Sequence, residues 1–389
     1  MTLETRKLGW SDEQVCAVAL GCMTFGVQND EAESHAIIDE YIRRCGRAGV
    51  LDAAEMYPVP SADKRWHPGR TEEILGTYFQ KHPEQRGKCL VATKVMGFSP
   101  GSETAGNRKL TLGTGGARQE SGLPSLEPGR LDRESVLEAC EASLKRLQLE
   151  TIDLYQVHWP DRYVPAFGAF GYNVAKERPD SVPIEETVGA MKTLLDEGKI
   201  KYYGLSNESP FGLMQWCAAA DTLGCPRPVS VQNQYSLLLR VDEHHLAEAM
   251  SPSNLDVAYL PWTPLAGGLL TDKYLGADGK VLPKEEWPAG ARHALFARFM
   301  DRFRSPLSVE AIEGYAAVAR DEKCSLATLA LKFCRSRWFA TSTIMGATSL
   351  AQLKENLDAF EADEAPLSDE ALRRIDELHL RCQNPIMSI

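Results

Sequence analysis

Short apolar runs rich in β-branched residues alternate along the chain with longer stretches in which apolar side chains recur every three or four positions. The first pattern suits a strand buried on both faces and the second an amphipathic helix, and their regular alternation is the signature of parallel β/α architecture. Eight strand candidates stand out: AVAL (17–20), VLD (50–52), CLVATK (89–94), IDLYQV (152–157), KYYGLS (201–206), VSVQN (229–233), LDVAYLP (255–261) and TSTIMG (341–346). Each is followed by helical sequence. Eight such units fit a closed (β/α)8 TIM barrel better than a doubly wound sheet.

The helices carry readable ends. Asn29 or Asp30 can cap a helix with Ile37, Ile38, Tyr41, Ile42 and Cys45 on one face. Pro183 at a first position, an apolar face of Ile184, Val188, Met191 and Leu195, and Gly198 at the end define a second, and Ser209-Pro210 opens a third. A last helix over 368–378, capped by Ser368 with Asp369 and Glu370 in its first turn, lies beyond the eighth unit and is expected to pack outside the barrel. Three connections break the compact rhythm: 95–131, rich in Gly, Ser and charge; 159–182, with Trp159, Tyr163, Phe167, Phe170 and Tyr172; and 265–307. All follow strands, so in a barrel they extend the loops of the C-terminal face, where substrates bind. With no interdomain linker, the sequence reads as one barrel domain over 1–389.

Composition narrows the class. A net charge of −11, from 43 basic and 54 acidic residues, opposes nucleic acid and anionic membrane surfaces. No apolar run approaches the roughly 18 residues of a membrane span, and MTLETRKLGWSDEQ has no signal-like apolar core, so the cytoplasm is the expected location. The ten cysteines (16, 22, 45, 89, 140, 217, 225, 324, 334 and 382) form no C-x-x-C pair and no metal-ligand spacing. They are expected to be reduced, mostly buried small hydrophobes, and no metal is expected. Oligomeric assembly is possible but leaves no mark.

The chemistry gathers at strand ends. Strand two ends in Leu51-Asp52-Ala53-Ala54-Glu55-Met56-Tyr57, strand three in Lys94 and strand four in His158. In a parallel barrel these converge on one rim. Each residue alone has an ordinary structural reading: an aromatic packs the rim, a lysine snorkels, an aspartate caps a loop, a histidine fills a wall. Together they suit a phenol acting as general acid. A free tyrosine has a pKa of about 10; Lys94 can stabilise its phenolate, Asp52 can hold the ammonium charged, and His158 can hydrogen-bond a developing oxyanion.

The motifs LGCMTFG (20–26), DAAEMYPVP (52–60), SLKRLQLETIDLYQVHWP (143–160), GKIKYYGLSNE (198–208), VQNQYSLL (231–238), PAGARHALF (288–296) and GATSLAQLKENL (346–357) together span nearly the whole chain. On these the sequence resembles the aldo-keto reductase superfamily, in its long-chain, Tas-like branch, to which the potassium-channel β-subunits are more distantly related. The resemblance implies a catalytic tetrad of Asp52, Tyr57, Lys94 and His158 and NADPH as cofactor, bound without a G-x-G-x-x-G loop. The nearest decoy, Gly113-Thr114-Gly115-Gly116, has no strand before it and reads as a loop. It further implies that Gly21 and Thr24 lie against the cofactor, that Ser206, Asn207 and Gln232 hold the carboxamide, and that Trp262 stacks on the nicotinamide. Thr263-Pro264-Leu265-Ala266-Gly267-Gly268-Leu269 would wrap the diphosphate, with Lys273 and Arg292 as phosphate partners.

After strand eight, Gly346, Thr348 and Ser349 stand at a helix start that favours an anion. Gln352 and Asn356 would share the adenine edge, and Ser349 with Lys354 are candidates for a 2′-phosphate. Strand seven departs from the family pattern, with Trp262-Thr263-Pro264-Leu265 in place of Tyr-Ser-Pro-Leu, and 95–131 exceeds the family core. The function implied is reduction of an aldehyde or ketone by 4-pro-R hydride transfer, with a small-molecule carbonyl as partner. The rival is an NADPH-binding regulatory or redox-sensing subunit, a branch that carries Asn where this chain has His158. A metal- or Schiff-base-dependent lyase using Lys94 gives no reason for the stretch around Trp262.

Overall fold

A computed structural model describes residues 3–61, 63–108, 126–295 and 301–387; the decoy loop 113–116, Phe296 and the middle of the first insertion lie outside them. The eight expected strands all form: β1 (Val18–Gly21), β2 (Gly49–Asp52), β3 (Cys89–Val95), β4 (Ile152–Val157), β5 (Ile200–Ser206), β6 (Ser230–Gln232), β7 (Ala258–Tyr259) and β8 (Thr343–Met345). They pair in parallel in the order β7-β6-β5-β4-β3-β2-β1-β8. Parallel bridges from Tyr259 to Ala340 and from Trp262 to Ile344 join the two edges, with Ile344 N donating to Pro261 O at 2.8 Å, so the sheet curls into the (β/α)8 fold. β2 and β3 are buried along their whole length, which is why they read as unbroken apolar runs rather than alternating ones.

Two cores follow from this layering. The barrel interior is filled by Ala19, Val50, Leu90, Ala92, Leu154, Val229, Ala258, Leu260 and Ile344. The larger core lies between the outer face of the sheet and the surrounding helices. An N-terminal hairpin, Thr5–Lys7 paired with Gln14–Cys16, is absent from the sequence reading because strands of three residues with charged positions carry no usable periodicity. It adds Leu8 and Val15 to the interior cluster and closes the bottom of the barrel. Gly9, at φ +53°, makes that closure possible: a Cβ there would stand 2.5 Å from Val229 O.

The helix ends match their chemistry. Asp30, not Asn29, caps α1 (Glu31–Cys45), accepting from Glu33 N at 2.9 Å while the Glu33 carboxylate accepts from Asp30 N at 3.1 Å. The expected face of Ile37, Ile38, Tyr41, Ile42 and Cys45 is the buried one. Pro183 stands at the cap of α2 (Ile184–Asp196), where Leu194 is fully buried and Leu195 only partly. Ser209 caps Pro210–Leu223, and Ser368 caps the final helix, Asp369–Arg381. That helix packs outside the barrel on Pro306–Asp321, where a Cβ on Gly314 would stand 2.5 Å from Leu378 Cδ2. All ten cysteines are free, nine of them buried. Among the described residues no helix is long and apolar enough to cross a membrane, and no group of His, Cys, Asp or Glu is placed to hold a metal.

Candidate active site

The carboxyl ends of β2, β3, β4 and β6 bring Asp52, Lys94, Gln156 and Gln232 into one buried cluster. Lys94 Nζ donates to Asp52 Oδ2 at 2.7 Å and to Ala53 O at 2.8 Å. The other carboxylate oxygen, Oδ1, accepts from Gln156 Nε2 at 3.2 Å and from Gln232 Nε2 at 2.9 Å. Burial pushes the Lys94 ammonium down, but the adjoining Asp52 carboxylate and Tyr57 hydroxyl more than reverse this, so its pKa ends above the usual lysine value. The result is a permanently charged ammonium in a dry setting.

With two of its protons on Asp52 and Ala53, Lys94 faces Tyr57, whose ring centroid is 5.0 Å from Nζ. Tyr57 is partly open to the cavity. Burial raises its pKa, Lys94 opposes that and Asp52 adds to it, with a net upward shift. The sequence suggested a phenol tuned downward by Lys94. That pull is present, but burial outweighs it, and Asp52 lies close enough to offset part of the ammonium's field. The His158 ring meets Tyr57 edge-on at 5.6 Å and 82°. Burial, reinforced by Lys94, holds its pKa well below the usual value, so the imidazole is neutral at neutral pH. Its Nδ1 is buried without a protein partner.

The loop that carries Tyr57 is anchored by Glu55. Its Oε1 accepts from Met96 N at 2.8 Å, and both oxygens pair with Arg108, at 2.7 and 2.9 Å, in an ion pair with side chains 1% and 3% exposed. Arg108 comes from the first insertion, which is thereby tied to the Tyr57 loop.

These groups open on a cavity of ≈ 920 Å³ at the carboxyl ends of the strands, within the range of small-molecule sites. Gly21, Asp52, His158, Ser206, Gln232, Trp262 and Gly346 line it from the ends of seven strands. Met23, Met56, Val59, Trp159 and Phe167 supply apolar and aromatic wall, with Trp159 against His158. The wall also includes Thr24, Thr263, Pro264, Leu265, Gly267, Gly268, Lys273, Arg292, Thr348, Gln352 and Asn356.

The polar chemistry of this wall fits an elongated anionic ligand. Asn207, at φ +54°, donates to His158 O at 2.8 Å, and Ser206 Oγ donates to Gln232 O at 2.7 Å. Trp262 Nε1 and Thr24 Oγ1 are buried without protein partners. Burial lowers both Lys273 and Arg292, the latter to about 10, and Arg292 lowers Lys273 further, so a bound anion would favour the charged form of both. Gly267 and Gly268 take φ +67° and +106°, and a Cβ on Gly268 would stand 3.3 Å from Lys273 Nζ.

Four residues expected near the cofactor, Ala266, Leu269, Ser349 and Lys354, are not among those that line the cavity. Ala266 and Leu269 turn their side chains into the core, at 0% and 2% exposure, because the turns at Gly267 and Gly268 present the backbone instead. Ser349 caps the helix Leu350–Asp358 by accepting from Gln352 N, and Lys354 points outward near Glu40. Gln352 itself accepts from Thr348 N at 3.0 Å. Unforeseen were Gln156, Glu355 and Arg302. Strand alternation from His158 inward would have found Gln156; the other two carry no local signal.

The aldo/keto reductase family model matches residues 17–380. The protein Tas of Escherichia coli is 36% identical over 97% of this chain and 98% of its own length. An aldo-keto reductase of Babesia bovis is 37% identical over 72% of this chain and 98% of its own length. A probable voltage-gated potassium channel subunit beta of Arabidopsis thaliana is 28% identical over 92% of each. A match spanning almost the whole chain, on a barrel with this rim, shows that the chain belongs to the aldo/keto reductase family of oxidoreductases.

Proposed function

We propose that the chain, acting as a single unit over 1–389 in the cytosol, reduces an aldehyde or ketone to an alcohol with NADPH. The observation that carries this reading is Tyr57 set between a charged Lys94 and a neutral His158 on the wall of one cavity. Ten free cysteines agree with a reducing compartment.

Ser206, Asn207 and the carbonyl oxygen of Gln232, whose amide nitrogen is engaged by Asp52 and Gln156, would hold the carboxamide. Trp262 would stack on the nicotinamide and fix which face is presented. Lys273 and Arg292 would take the diphosphate, and Gln352 and Asn356 the adenine. Bound in this way, NADPH supplies a hydride to the carbonyl carbon.

Everything else falls to the chain. The raised pKa of Tyr57 keeps the phenol protonated until charge develops on the carbonyl oxygen. It then gives up its proton, and the ammonium of Lys94 stabilises the phenolate left behind. His158, neutral, donates a hydrogen bond to the same oxygen without competing for its proton. Hydride and proton together convert the carbonyl to the alcohol.

Turnover of 4-nitrobenzaldehyde by wild type and Tyr57→Phe, followed by NADPH oxidation, tests the assignment. A loss of roughly 10²-fold or more is expected, and near-equal rates sink it. Fluorescence titration with NADPH and NADH tests the cofactor: equal affinities remove the case for a 2′-phosphate.

A further inference from the structure

One arginine of the cavity wall belongs to neither the tetrad nor the proposed diphosphate contacts. Arg302 lies in the helical turn Asp301–Arg304 and lines the cavity together with Trp159, Phe167 and Trp262. Its stem passes under Gly168, where a Cβ would stand 2.4 Å from Arg302 Cδ, and its Nη2 donates to Gln234 Oε1 at 3.0 Å. Gln234 is the bridge partner of Trp262, and the Phe167 ring is 6.3 Å from that of Trp262 and 6.4 Å from that of Trp159. Arg302 therefore sits at the substrate end of the cavity, between the loop after β4 and the stretch that carries the nicotinamide platform.

Its electrostatic setting differs from that of four other enclosed arginines. Arg108 pairs with Glu55, Arg146 with Glu72, Arg162 with Glu208 and Arg240 with Glu243. No carboxylate among the described residues pairs with Arg302, and burial alone lowers its pKa, to about 10. Its Nε is buried without an acceptor, and so is Nε2 of Gln234, a residue 7% exposed. Two adjacent N–H donors thus point at no protein acceptor. A partly desolvated guanidinium of this kind is compensated by a planar oxyanion, which it can grip through two parallel hydrogen bonds.

Arg302 also stands apart from the proposed diphosphate pair: Arg292 lowers Lys273, whereas neither acts on Arg302. From Gly168 beside Arg302, ring contacts run through Phe167 and Trp159 to His158 and Tyr57, a lining for an apolar or aromatic spacer.

We propose that Arg302 is the carboxylate-recognising residue of the substrate pocket, so that the substrate is an aldehyde or ketone bearing a carboxylate beyond an apolar or aromatic spacer. The inference rests on the reductase reading for the carbonyl and on Arg302 for the anion.

The test compares 4-carboxybenzaldehyde with its neutral counterpart methyl 4-formylbenzoate, which has a similarly activated carbonyl. Wild type should favour the carboxylate in kcat/KM. Arg302→Met should lower the carboxylate-to-ester ratio by roughly 10- to 100-fold, toward unity, and Arg302→Lys should keep part of the preference. A wild-type ratio near one, or a ratio that Arg302→Met leaves unchanged, overturns the proposal. Calorimetric titration with benzoate and benzamide, with NADP+ present, reads the subsite without turnover. Benzoate binding that Arg302→Met abolishes, with neither aldehyde reduced, keeps the subsite and removes the reductase reading. Reduction of the ester with no Arg302-dependent benzoate binding keeps the reductase and removes the subsite.

Discussion

Replacing Lys94 by methionine takes one partner from a buried ion pair whose side chains are 0% and 4% exposed. Asp52 then keeps two neutral amide donors on Oδ1, from Gln156 and Gln232, but loses the ammonium at 2.7 Å from Oδ2. Removing one member of such a pair costs about 3–5 kcal/mol, because the remaining charge is stranded. The stranded carboxylate relieves itself by binding a proton, so its folded pKa rises above the unfolded value of about 3.9. A group raised in this way contributes stability at low pH and loses it as pH rises. The deficit of Lys94→Met relative to wild type should therefore be largest near pH ~8 and shrink toward pH ~5. Adding Asp52→Asn removes the stranded charge and should recover most of the loss together with its pH dependence. Urea unfolding followed by tryptophan fluorescence, at both pH values and across the full double-mutant cycle, measures every term. A single-mutant loss below ~1 kcal/mol, or a double mutant no more stable than Lys94→Met, refutes the stranded-charge reasoning. The same change should lower reductase turnover by roughly 10²- to 10⁴-fold.

Wild-type stability should itself fall on mild acidification. His158 and His293 are buried with depressed pKa values, the latter about 4, so below pH ~6.5 the unfolded chain binds protons that the folded chain refuses, costing up to about 1.4 kcal/mol per pH unit for each. Asp242, raised to about 6, works in the opposite direction over part of that range, and a stability unchanged between pH ~7.5 and ~5.5 would contradict the two buried imidazoles. Gly97→Ala would place a Cβ 1.9 Å from Trp159 O and 2.7 Å from Pro160 O, forcing apart the loops after β3 and β4. It should cost roughly 1–3 kcal/mol or more in urea and raise KM more than it lowers kcat; a variant indistinguishable from wild type would deny the close approach.

The parts of this molecule legible in its sequence are those set by local chemistry. Eight apolar runs became eight strands, and Ser209 and Ser368 cap the helices they were expected to cap. Asp52, Lys94 and His158 were readable because a parallel barrel turns the end of every strand toward one rim, so position along the chain translates into place. That translation fails where tertiary partners decide. The pairing of Glu55 with Arg108, 53 residues apart, and the approach of Arg302 to Gln234, 68 apart, leave no periodic trace. The N-terminal hairpin was missed for a related reason: its value lies in what it covers, not in its own pattern.

That hairpin bears on how protons travel. Beneath Asp52 and Lys94 the barrel is an aliphatic plug of Ala19, Val50, Ala92, Leu154 and Val229, sealed at its far end by Leu8 and Val15. Such a layer gives a proton nothing to step on. On the reductase reading, the phenolate left on Tyr57 is recharged only from the cavity side, past whatever occupies the cavity. Departure of the alcohol and re-arming of the acid then share one doorway, and the solvent isotope effect should track product release rather than any route through the barrel axis.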